Sequence, residues 1–190
     1  ILFTVQCFQV YAESDLNRIR FGIPTAPSSL DPRFSVDAVS ARLQTLLHRS
    51  LVRFEETQTV VPDLAEWQKL APLHYRFIID EGAYFNDGEK VVASDVHATY
   101  KSILDPKTLS PHVGSFTNIK EIIEVDDRTV DFILNEADHF FPDSLSVGIL
   151  SAAYVKAASS KDTFAASTGP FEVLSWATNE PLVLRRRKDG

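Results

Sequence analysis

Between residues 74 and 105 the hydrophobic pattern changes period, which restricts the chain to folds that combine sheet and helix. His74 to Asp80, HYRFIID, alternates, with Tyr75, Phe77 and Ile79 on one face of a strand. Asn86-Asp87-Gly88 predicts a tight turn, because Gly88 accepts a positive φ and Asn or Asp tolerates one. A helix follows, with Val96, Tyr100 and Ile103 one or two turns apart on one face. Ser94 is its expected cap, and Asp95 stands in the first turn facing the positive end of the dipole. Asp105-Pro106 ends it, since proline cannot continue a helix and disfavours one before it. The stretch AYFNDGEKVVASDV therefore reads as scaffold. Phe85 packs inward, Asp87-Gly88 turns the chain, and Asp87 is a solvated turn residue rather than a ligand contact.

The flanking segments extend the same pattern. RIRFGI, residues 18–23, alternates as a strand. After a Pro/Ser loop, Val39, Leu43, Leu46, Leu47 and Leu51 share one face at helical spacing, and the chain leaves that helix extended through Phe54. VVPDLAEW reads as a proline-led turn with Leu64 and Trp67 one helical turn apart. IKEIIEV and RTVDFIL, joined at Asp126-Asp127, form a hairpin with Val130, Phe132 and Leu134 turned toward a core. Residues 140–158 read as short helices broken at Gly148. Thr168-Gly169-Pro170 is a turn, and Phe171 to Trp176 pairs with Leu182 to Arg187. Without regular βαβ alternation the expected class is α+β, a mixed α/β lobe.

Bulk properties exclude several functions. The 190 residues are 44% hydrophobic and 24% charged, a globular balance, and the net charge of −7 argues against nucleic acid or anionic membrane as the main partner. Cys7 is the single cysteine, so no intrachain disulfide forms. His48, His74, His97, His112 and His139 are too scattered for a local zinc motif. G-x-S-x-G, Walker A and G-x-G-x-x-G are absent, as are a calcium loop and a carboxylate pair at the turn. Ile1 to Ala12 is apolar, too short to span a bilayer, and ends in Val10-Tyr11-Ala12 where a signal peptidase site would fall. It reads as the remnant of a secretory signal, the alternative being an ordinary first strand. A lipoprotein anchor at Cys7 is the weaker reading, because Gln6 is large and polar.

Four stretches, in order, carry a resemblance. SLDPRFSVDAVSARLQTLLHRSLVRF, VVPDLAEW, HYRFIIDEGAYFNDGEKVVASDV and STGPFEVLSW are similar to the L-D-P segment and helix, the P-x-L-A-x-x-W element, the Y-x-F…F-x-D-G…T-A-x-D-V signature and the G-T-G-P turn of the extracellular solute-binding proteins, family 5, the peptide/nickel branch of ABC importers. Three positions depart from it. The signature threonine is Val92, the arginine before the turn is Asp80 beside Glu81, and the first glycine of the last motif is Ser167.

The resemblance implies a lobe of the type II periplasmic-binding-protein kind. Residues 13–190 would be the N-terminal part of lobe one, with the second lobe absent. It implies a non-enzymatic, monomeric, exported protein without cofactor, which captures a small peptide or a related solute such as a nickel complex in the periplasm for the permease subunits. Three loops are the expected ligand contacts. In the first, Phe34 either covers a ligand side chain or joins the core, Ser35 offers a polar contact, and Asp37 either does so or caps the helix. The second carries Val113, Ser115 and Phe116, and the third Thr168 and Gly169. Rival readings are an exported hydrolase with a triad of distant Ser, His and Asp, a metal or haem carrier, and a degenerate gene product.

Overall fold

The computed structural model of the chain describes residues 22–23, 25–157, 164–177 and 180–187. The expected signal remnant with Cys7 lies outside these residues, as does the 18–23 strand apart from Gly22 and Ile23. Helix α1 (Ala38–Leu47) leads to a two-stranded antiparallel pair, β1 (Val52–Phe54) and β2 (Val60–Pro62). The central sheet contains β3 (Ala65–Ala71), β4 (His74–Ile79), β5 (Ile119–Glu124) and β6 (Thr129–Leu134), all antiparallel in the order β3-β4-β6-β5. Helix α2 (Ala93–Leu104) connects β4 to β5 and packs on one face of this sheet. Two short helices, α3 (Phe141–Ser144) and α4 (Ala152–Lys156), precede a hairpin of β7 (Phe171–Ser175) and β8 (Val183–Arg186).

Alternation predicts the buried face of the sheet. Tyr75, Phe77 and Ile79 of β4 are buried, as are Val130, Phe132 and Leu134 of β6. Val96, Tyr100 and Ile103 of α2 meet them, each wholly inaccessible to solvent. Phe132 stands at the centre. Its ring meets Phe77 edge-on at 5.5 Å, Tyr100 edge-on at 5.6 Å and Phe141 tilted at 5.5 Å. Such geometry places ring edges on ring faces, where the quadrupoles attract.

One atom in this cluster is out of place. The Tyr75 hydroxyl donates to the Asp138 carbonyl at 2.7 Å, but the Tyr100 hydroxyl is buried without a hydrogen-bond partner among the described residues. An unmade bond at a buried hydroxyl costs the folded state, so Tyr100→Phe is expected to leave stability unchanged or raise it by up to about 1 kcal/mol. A thermal melt measures this; a clear fall in Tm would mean that the hydroxyl is bonded after all.

Two local expectations are corrected. Leu64 and Trp67 do not lie on a helical turn: Trp67 belongs to β3, pairs with Phe77 across the ladder and stacks on its ring at 6.2 Å. Long-range partners fix this backbone instead: Asp63 N–H donates to the Leu51 carbonyl and Leu64 N–H to the Ser50 carbonyl, and β3 pairs with β4 from Ala65 to Lys69. The cap of α2 is not Ser94 but Val92, two residues earlier. Valine has no side-chain acceptor, so neighbours replace it. The Asp127 carbonyl of the β5–β6 turn accepts from Ala93 N–H at 2.8 Å, and the Asp95 carboxylate reaches back to Val92 N–H at 2.9 Å. The second Asp95 oxygen accepts from Ala152 N–H at 2.7 Å, tying the start of α4 to the start of α2. Burial pushes the Asp95 carboxyl above the usual carboxylate range, against the two backbone N–H groups.

Helix α1 buries less of its apolar stripe than its spacing predicts. Leu47 and, beyond the helix, Leu51 are in the core, whereas Val39 and Leu43 are half-buried and Leu46 is exposed.

The outer face of the sheet carries a charged cluster. Asp131 accepts from Arg76 at 2.7 and 2.8 Å and bonds His74 Nε2 at 2.8 Å. The Arg76 guanidinium holds the Asp131 carboxyl below its ordinary range, opposed by burial and helped by His74. A carboxylate with a depressed folded pKa adds stability above its unfolded value of about 4, and that stability is lost as pH falls through the folded value. Asp131→Asn is therefore expected to be less stable than the parent at pH 7, with the gap narrowing below about pH 4. Urea midpoints across that range are the check, and a gap independent of pH would count against it.

Candidate functional site

The signature turn is a structural joint. Gly88 has φ 90, Gly88 N–H donates to Phe85, and Phe85 is buried. Asn86 locks the turn to the chain before β7: Asn86 N–H donates to the Ser167 carbonyl, the Asn86 side-chain oxygen accepts from Ser167 N–H at 2.9 Å, and its amide donates to Glu172 at 2.6 Å. Arg187 lies on the Tyr84, Phe85 and Ser167 carbonyls and reinforces the same joint. Asp87 is exposed, and its carboxylate accepts from the local Glu89 N–H at 3.1 Å, as a turn residue does.

The first two predicted loops meet. The Ser110 hydroxyl donates to the Arg33 carbonyl at 2.7 Å, and the His112 ring is bonded to the Ser35 carbonyl at 2.9 Å. Together they form a two-loop rim beside the start of α1. The third loop does not join them. Gly169 N–H donates to the Leu47 carbonyl at the opposite end of α1, a separation of about 15 Å for a ten-residue helix.

Within the rim the side chains divide by role. Asp37 is the N-cap of α1, and its carboxylate accepts from the backbone of Val39 and Ser40, from both donors of Ser28 and from the Ser40 hydroxyl. The Ser28 hydroxyl, then that of Ser40, drives its pKa far below the carboxylate range. Ser35 is spent on the loop: its hydroxyl donates to the Asp31 carbonyl and accepts from Gln44. Arg33 is buried and bidentate on Asp31, with Phe34 and Tyr154 rings 5.4 and 5.8 Å from its guanidinium carbon. Phe34 is half-buried, Val113 and Ser115 are exposed, and Phe116 is a core residue against Tyr100, unlike its neighbours in the loop. Thr168 and Gly169 are buried, Thr168 accepting Arg49 N–H on its hydroxyl at 2.7 Å.

Sequence inspection missed Arg33 and His112, which hold the rim together. His112 had one signal, its place in the SPHVGSF loop, but a link between residues 77 positions apart has no local signature. His48 is buried beside the Gly148 backbone, and burial pushes its pKa down to about 4. The other ring bonds run from His74 to Asp131 and from His97 to Glu124; among the described residues no serine hydroxyl is bonded to a histidine ring, and no cluster of three His, Cys, Asp or Glu is poised for a metal. No helix among them is long and apolar enough to cross a membrane.

A mixed lobe of this topology, with loops gathered into a rim, is the fold of periplasmic binding proteins. NikZ from Campylobacter jejuni, solved with Ni(L-His), superposes with a TM-score of 0.77 at 25% identity, over 87% of this chain and 34% of that one. AppA from Bacillus subtilis, solved with a nonapeptide, gives 0.77 at 23% identity, over 84% and 34%. Residues 59–189 match the bacterial extracellular solute-binding proteins, family 5 Middle, and the chain belongs to that family. Among curated relatives, the HTH-type transcriptional regulator SgrR of Escherichia coli K12 is 30% identical over 137 residues, 69% of this chain. The chain spans only 23% of that relative's length.

Proposed function

We infer that this chain supplies part of the first lobe of an exported solute-binding protein, which captures small peptides or a related solute such as a nickel complex for an ABC importer. The observation that carries this reading is the family match together with the rim, a loop surface beside α1 of the kind that lines ligand clefts. The nonapeptide held by AppA and the nickel–histidine complex held by NikZ support the solute class. Clamp-like binding needs contacts from both sides, because closure is favoured only by a ligand that binds the shut state better. The 190-residue chain is therefore expected to bind weakly by itself. Calorimetry with pooled di- to pentapeptides and with nickel–histidine should give no micromolar heats, and micromolar affinity would overturn the half-clamp reading. Labelling of a serine by a fluorophosphonate would instead support the hydrolase.

The SgrR relatives favour a second reading, in which the same solute-binding unit senses a ligand within a transcriptional regulator. The gene separates the two. An in-frame helix-turn-helix segment supports the regulator, and a signal sequence with neighbouring permease genes supports the importer.

A further inference from the structure

Leu109 is the residue the fold explains least. Its backbone is left-handed, with φ 53 and ψ 37, and its side chain is 83% exposed. A residue with a Cβ rarely occupies that region, where glycine or asparagine fits without strain. The position is not a slack loop end. On one side Asp105 caps the 3-10 turn Pro106–Thr108 by accepting Lys107 N–H at 2.9 Å; on the other, Ser110 is buried on the Arg33 carbonyl. The backbone thus holds a leucine out in water in a strained conformation.

Two further exposed apolar residues directly follow the residues whose bond joins the two loops. Val36 is 67% exposed and follows Ser35, whose carbonyl binds His112; Val113 is 40% exposed and follows His112. Every ionisable side chain within the two loops is already engaged. Asp37 is filled with donors, Arg33 lies on Asp31, and the His112 ring is on Ser35. Lys107, in the preceding 3-10 turn, is the nearest exposed cation in sequence.

We propose that the two-loop rim takes an uncharged, apolar part of the solute, an alkyl or aromatic side chain, and that Leu109 is the residue that selects for it. This rests on the solute-binding reading above. A desolvated apolar contact needs no counter-charge, and a charged ligand group placed here would lose hydration with nothing to replace it.

The test is an amide NMR titration of the 190-residue protein with two capped dipeptides at millimolar concentration, acetyl-Leu-Leu-amide and acetyl-Asp-Asp-amide. The neutral probe is expected to shift Val36, Ser110 and Val113, and the acidic probe to leave them still. Leu109→Asn suits the left-handed backbone, so it should keep the spectrum and the Tm while weakening the neutral probe tenfold or more. Lys107→Ala should change neither response. Equal shifts from both probes, or an undiminished response in Leu109→Asn, would overturn the proposal. Shifts confined to the Thr168 turn would overturn the rim and leave solute binding standing. Silence everywhere, with a mixed peptide pool as well, would remove both.

Discussion

Phe132→Ala is expected to cost about 3–5 kcal/mol, the range for removing a large aromatic from a core. Phe132 is fully buried on β6, the strand flanked by both β4 and β5, and its ring touches Phe77, Tyr100 and Phe141. Its loss removes the apolar contact of one ring and three aromatic contacts at once, and leaves a cavity between sheet and α2 that backbone pairing on both sides prevents from collapsing. A domain has about 5–15 kcal/mol in total, so the variant should sit near its unfolding threshold at 37 °C. A urea titration followed by tryptophan fluorescence is the measurement, because Trp67 stacks on Phe77 beside the lesion. Phe132→Leu should recover much of the loss. A midpoint within error of the parent would show that the aromatic cluster is not the centre of the core.

Gly169→Ala is the second large effect, and its cause is backbone contact. A Cβ at Gly169 would lie 2.5 Å from the Leu46 carbonyl oxygen and 2.8 Å from the Leu47 carbonyl carbon. Neither atom belongs to a side chain that can swing away. The turn before β7 must retreat from the end of α1, which breaks the Gly169 bond to Leu47 and strains the Thr168 bond to Arg49. Overpacking of this kind costs about 1–3 kcal/mol, and the lost backbone bond adds to it. The β7–β8 hairpin should become the first site of proteolysis. Gly114→Ala is the control, since a Cβ there meets nothing within 4 Å and its φ is ordinary. If both variants melt with the parent, the close approach of turn and helix is wrong.

Most of the fold was legible, and the legible parts share one property. Alternation in β4 and β6, the helical face of α2, the Asn86–Gly88 turn and the stop at Asp105-Pro106 depend on residues a few positions apart. The misread parts depended on partners far away. Leu64 and Trp67 fit a helical turn by spacing, yet Trp67 lies in the ladder to β4 and Leu64 in the bend before it, since tertiary pairing outweighs a weak local preference. Ser94 is a reasonable cap in isolation, but the helix starts two residues earlier, where the Asp127 carbonyl and the Asp95 carboxylate satisfy its first N–H groups.

The candidate site was less legible than the fold. Asp37 and Ser35 have the residue types of ligand contacts, and their own loop and helix occupy them. Phe116 resembles Val113 in loop position, but the α2 packing takes it into the core. Leu109 drew no notice, because an exposed leucine has meaning only once its backbone conformation is known.

The amino-acid order by itself determined which faces are apolar, where turns and helix ends fall, and the family resemblance, because these follow from side-chain periodicity and backbone sterics over a few residues. The tertiary structure alone decided that residues 32–37 and 110–116 form one rim, that the Thr168 turn stands at the far end of α1, and which charges are already paired. Those outcomes depend on hydrogen bonds between residues up to 119 positions apart, and no local pattern encodes which donor will find which acceptor.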